Sequence, residues 1–156
     1  MNCGDLDTEA MDVLANIVNL VMRGDLNEEE MVNEVLKYVA KLEYCNHVNI
    51  KTLDDTAKLN IYKFNLSVLN IEFKLLNVQI PMIDFDKSPE ELEKEGLEII
   101  DNAYQSGSNI DEVVRGLAYL YYADMKYIQR LENVLRQPTT SGGEDSGNQE
   151  GETRPQ

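Results

Sequence analysis

The stretch from Ala57 to Ile80 constrains this chain most, because it contains no glycine, no proline and no aspartate. It therefore lacks the three strongest turn formers and reads as one continuous element. Two patterns compete within it. From Ile61 the blocks IYKFNLS, VLNIEFK and LLNVQIP each open with two apolar residues and then alternate. Alternation with Ile, Val, Tyr and Phe favours strands. The same residues fill a heptad, since Leu59, Tyr62, Leu66, Leu69, Phe73, Leu76 and Ile80 hold every a and d position. An antiparallel sheet over residues 58–80 needs two turns, and one strand of that length far exceeds the usual ~3–10 residues. A helix is the preferred reading, with Thr52 and Asp55 as its capping box and Pro81 as its stop. A second apolar stripe, Ile61, Phe64, Val68, Ile71, Leu75 and Val78, implies burial on two sides.

Four further helices follow from periodicity and caps. The first runs from about Leu6 to Met22, with carboxylates at its start and Gly24 as its C′ residue. The second starts at Glu28 after Asn27 and Glu30, a capping box, and runs to about Tyr44. Ser88-Pro89-Glu90-Glu91 opens the fourth, which ends near Gly107. Asn109 and Glu112 cap the fifth, which carries Val113, Leu117, Leu120, Tyr121, Ile128 and Leu131 towards Pro138. The fold class is thus all-α: about five helices in a bundle around a long central helix. The alternative is α+β, with residues 58–80 as the sheet. Residues 1–137 form a single domain. Residues 138–156, PTTSGGEDSGNQEGETRPQ, have no apolar anchor and read as a disordered acidic tail.

Charge excludes several functions. The chain of 156 residues has 14 Lys and Arg against 29 Asp and Glu, a net charge of −15. Neutralising a phosphate backbone needs clustered cations, and no basic window exists, so nucleic acid is not the expected partner. No apolar run approaches the ~20 residues of a membrane span. The opening MNCGDLDTEAMD lacks the basic and apolar regions of an export signal, and Asn2 stands where myristoylation needs glycine. A cytoplasmic protein with two free thiols, Cys3 and Cys45, is the expectation.

No motif in the chain is specific for catalysis. The only histidine, His47, sits in Tyr44-Cys45-Asn46-His47 and reads as a loop residue. Its Cys-x-His step would start a zinc site, but two more soft ligands are missing, so no metal and no cofactor is assigned. Asp84 and Asp86, with Glu90 or Glu91, are the candidates for a carboxylate-held metal in a phosphohydrolase or nuclease. The plain alternative is a solvated linker leading into the Ser88 cap. On the fifth helix Asp124 interrupts the stripe at a core spacing among Tyr119, Tyr121, Tyr122 and Tyr127. A carboxylate there is either paired, by a tyrosine hydroxyl, Arg115 or Lys126, or neutral, unless the position is a boundary one from which it reaches water. Tyr119, Tyr122, Asp124 and Tyr127 are therefore the candidate interface. The expected function is a non-enzymatic helical interaction or assembly protein that self-associates. The alternatives are the metal-dependent hydrolase and an acidic mimic of nucleic acid.

Overall fold

The structure is a computed structural model that describes residues 1–25, 27–83, 86–107 and 109–136. Five α-helices follow one another: α1 (Leu6–Met22), α2 (Glu28–Asn49), α3 (Asp55–Leu75), α4 (Pro89–Gln105) and α5 (Ile110–Arg136), with a 3-10 turn at Ile50–Thr52. Among the described residues there is no strand. The tail assigned to residues 138–156 lies outside them, as does residue 137.

Local chemistry sets most boundaries. Gly24, at φ 71°, closes α1: the Asp25 N–H donates to the Leu20 carbonyl at 3.0 Å and the Gly24 N–H to Val21 at 3.1 Å. The Asn27 side chain accepts from the backbone N–H groups of Glu29 and Glu30 at the start of α2. Ser88 and Glu91 form a reciprocal capping box on α4, with Pro89 in the first turn. At α5, Asn109 Oδ1 accepts from the Asp111 N–H, while Glu112 pairs with Arg115 instead of returning to the cap.

The third segment is helical, which overturns the sheet alternative, but three details differ from expectation. Its cap is Asp54, which accepts from the Ala57 N–H at 2.8 Å; Thr52 belongs to the preceding 3-10 turn. It ends at Leu75 rather than at Pro81. Asn77 takes a positive φ of 55°, and Val78 N–H reaches back to the Phe73 carbonyl at 2.9 Å. Asparagine serves this left-handed position as glycine served it after α1. Beyond it the chain runs without helix, and Leu76, Val78 and Ile80 pack on the core while Asn77 and Gln79 are exposed. The alternation in the last block thus matches which side chains of this non-helical segment turn to the core, and it makes no strand. Finally, the second stripe is only partly covered: Phe64, Ile71 and Leu75 are exposed, while Ile61, Val68 and Val78 are half-buried.

The longest helix, α5 at 27 residues, is the central one and packs against α2, α3 and α4. Two apolar layers surround it. One holds Leu36, Val39, Leu69, Phe73, Ile100 and Leu117; the other holds Ile50, Tyr62, Leu92, Ala123, Tyr127 and Leu131. α1 packs on α2 and buries no residue fully. Its start is pinned by three contacts. Buried Lys41 pairs with Asp5 at 2.7 Å and Glu9 at 2.9 Å, and the terminal amine meets Asp101 at 3.3 Å. Cys3 and Cys45, expected as free thiols, form a disulfide. None of the described helices is long and apolar enough to cross a membrane.

α4 and α5 cross at glycines. A Cβ on Gly116 would lie 2.6 Å from Ile100 Cγ1 and 3.3 Å from the Gly96 carbonyl oxygen; one on Gly96 would lie 3.1 Å from the Gly116 carbonyl oxygen. The two backbones approach this closely only because neither residue has a side chain. Gly116→Ala is therefore expected to destabilise the fold by roughly 1–3 kcal/mol through overpacking, although alanine is the better helix former. Urea denaturation of the variant measures the difference.

Candidate functional site

Between the two apolar layers lies a polar one, built from all four packed helices. Glu43 and His47 come from α2, Asn65 from α3, Glu93 from α4 and Asp124 from α5, and all are buried. On α2 the core spacing Leu36, Val39, Glu43, His47, Ile50 simply substitutes polar residues at two of its positions. The helix continues to Asn49, so His47 is a helical core residue and not the loop histidine expected.

His47 is the hub. Its Nδ1 lies 2.6 Å from Glu93 Oε2, and its Nε2 lies 2.9 Å from Asp124 Oδ1. The first contact is a hydrogen bond. The second is an ion-pair contact, and Nε2 and both Asp124 oxygens make no hydrogen bond beyond it. Glu93 is well supplied, since its other oxygen accepts from Lys51 and, at 3.1 Å, from the Tyr127 hydroxyl. Tyr127 stacks on Tyr62 with ring centroids 4.7 Å apart. Asn46 donates to Asn65 Oδ1 at 3.1 Å. Glu43 Oε1 has no partner.

The electrostatics follow from this packing. Burial opposes charge on His47, but the carboxylates of Asp124 and Glu93 outweigh it and raise the imidazole to about 10. Burial holds Glu43 well above the ordinary carboxyl range, and the charge of Asp124 adds to it. Asp124 is raised by burial against the attraction of His47. For Glu93 burial is overcome by hydrogen bonds from His47 and Lys51, and the carboxyl stays below its usual range.

The tyrosine cluster splits. Asp124 is buried and paired, as its position in the stripe implied, but its partner is His47 rather than a tyrosine, Arg115 or Lys126. Tyr127 also faces inward. These two side chains are closed to an outside partner, which leaves half-buried Tyr119, beneath Arg115, and Tyr122, edge-on to Tyr121.

The other candidate cluster does not converge in its described part. Asp84 lies outside the described residues. Glu90 pairs with Arg130 across to α5, and Glu91 turns back to cap α4 at Ser88. Asp86 lies in the turn before them. Among the described residues the group of three with metal-ligand proximity is instead Glu43, His47 and Asp124. Sequence reasoning missed Glu43, Glu93 and Lys51 altogether. The same clue that exposed Asp124, a polar residue at a core spacing, would have found Glu43 once α2 was carried one turn further.

No protein-family model, curated protein or solved structure matches this chain. Any functional reading therefore rests on the residues themselves.

Asp124→Ala removes one side of a buried ionic contact and leaves His47 facing an apolar gap. Its expected cost is about 3 kcal/mol. Tyr127→Phe removes one of the hydrogen bonds to Glu93 and should cost about 1 kcal/mol. Urea midpoints of both variants at neutral pH check the order.

Proposed function

We propose that this chain is a non-enzymatic assembly protein that self-associates through the outer face of α1. The observation that carries the reading is the row Met11, Leu14, Val18, Val21, with Met22 beside it, every member at least 44% exposed. Its spacing of three, four and three residues is that of a heptad seam. The inner row of the same helix, Leu6, Ala10, Val13, Ile17 and Leu20, is half-buried against α2. α1 thus has two apolar sides and one partner helix.

Charge favours a second copy as the occupant. The positions flanking the row from Met11 to Val21 are Ala10, Ala15, Ile17 and Met22, so two copies meet there without like charges, and the acidic seam positions Asp7 and Asp25 fall at its ends. Asp7, Glu9 and Asp12 cluster at one end of α1 and Arg23 stands at the other. In an antiparallel pair centred between Leu14 and Val18, each Arg23 comes level with the acidic turns of the other copy. The helix dipoles also oppose. Such a pair is isologous and closes on itself.

Other features agree. Lys41, Lys51, Lys63, Arg115 and Arg130 each pair with a carboxylate, which leaves them poorly placed to meet a phosphate backbone. His47 and the carboxylates around it are buried, which suits a structural role better than work on a substrate. The Cys3–Cys45 disulfide favours a compartment that keeps thiols oxidised over the cytoplasm expected from the sequence.

The wild-type chain is expected to run as a dimer in light scattering at tens of micromolar. Leu14→Glu with Val18→Glu should give a monomer whose fold is unchanged, since both residues are exposed in the single chain. A wild-type monomer across that range removes the reading.

A further inference from the structure

We propose that Glu43, His47 and Asp124 form a buried site for one divalent transition-metal ion, Zn(II) by the character of its donors, that clamps α2 to α5. Glu43 and His47 stand at i and i+4, one above the other on the same face of α2. Asp124 meets them from α5. One donor atom from each residue lies within 4.8 Å of the other two. Donors arranged tetrahedrally at ~2.1 Å from zinc stand about 3.4 Å apart, so small side-chain shifts, with His47 Nε2 and Asp124 Oδ1 parting slightly from 2.9 Å, admit the ion.

The stronger observation is what these atoms lack. Glu43 Oε1, His47 Nε2 and both Asp124 oxygens are buried and have no hydrogen-bond partner. Nε2 and Asp124 Oδ1 face each other as an ion pair at 2.9 Å, which leaves Glu43 Oε1 and Asp124 Oδ2 without a hydrogen bond, and buried polar atoms left so are costly. A single dication between the three side chains gives both oxygens a partner. It also balances charge, since two carboxylates and a neutral imidazole around a dication sum to zero. With one atom from each residue the protein supplies three donors, the number that zinc sites with one further position use.

The surroundings match a metal histidine. A ligating imidazole almost always gives its other N–H to a carboxylate. Here Nδ1 bonds Glu93 Oε2 at 2.6 Å, and Glu93 is in turn fixed by Lys51 and Tyr127. That arrangement leaves the Nε2 lone pair for the ion. A mixed set of one nitrogen and carboxylate oxygens suits zinc. Mg²⁺ and Ca²⁺ ask for six or more oxygens, several of them water, which this buried position does not offer.

The test uses the full chain, unfolded in urea with chelator and refolded with ZnCl₂, MgCl₂ or no metal, then desalted. One Zn per chain by elemental analysis is expected, with a rise of several degrees in the thermal midpoint and no such rise with Mg²⁺. His47 is the only histidine, so zinc should move one set of imidazole resonances in the ¹⁵N spectrum of the wild-type protein. Glu43→Gln keeps the side chain's volume and should weaken zinc binding by about 100-fold or more. His47→Gln should abolish it. Zinc that fails to stay with the chain, that leaves the imidazole resonances in place, or that binds the Gln variants as well as wild type would overturn the proposal. Equal protection by Mg²⁺ would do the same.

Discussion

The contact between His47 and the two carboxylates that flank it is the constraint on which the packing of this chain depends. Glu93 belongs to α4 and Asp124 to α5, so one imidazole on α2 fixes three helices at one level. Apolar layers alone would not do this. Leu and Val surfaces tolerate a slip of a turn with modest repacking, and this bundle has such layers on both sides of His47. A slip that carried Asp124 into either layer would strand a carboxylate among aliphatic groups, at a cost of several kcal/mol. The polar layer thus penalises every register but one.

That layer requires the close approach of α4 and α5. Glu93 lies three residues before Gly96, on the helix that Gly116 lets come near. Any side chain at the crossing would push α4 outward and take the Glu93 carboxylate away from Nδ1 of His47. The glycines and the buried acid are therefore one device. Lys51 and Tyr127 complete it by holding the second oxygen of Glu93.

Caps and breaks were legible in the sequence because they are local. Gly24, Asn27, Ser88 and Pro89 do in space what their chemistry implies. Asp124 was legible for a different reason: it breaks a strong periodic stripe, and such a residue must find a partner. The partner was hidden because the polar run Tyr44-Cys45-Asn46-His47 looks like a loop when read alone, whereas tertiary contacts carry α2 through it. The disulfide left no local sign either, since its cysteines are 42 residues apart and meet only because the N-terminal segment lies back on α2. The alternation in residues 75–81 made no sheet. Asn77 ends the helix there with a positive φ, and Val78 and Ile80 beyond it pack on the core.

α1 stands apart from this scheme. The two apolar layers and the polar layer between them belong to α2, α3, α4, α5 and the 3-10 turn, and α1 supplies no fully buried side chain to any of them. Its attachment instead combines ion pairs to Lys41, a disulfide and a half-buried inner row. The ion pairs and the disulfide hold position without enclosing the helix, and they act at its first turns. The remainder of α1 presents its outer row of Met11, Leu14, Val18 and Val21 to solvent. A helix that served only the stability of this chain would gain nothing from that second apolar row, for each exposed member adds to the surface that favours aggregation. The separation of labour is consistent: α2–α5 fix one register through His47, and the disulfide and Lys41 mount on that frame a helix whose outer apolar face stays exposed.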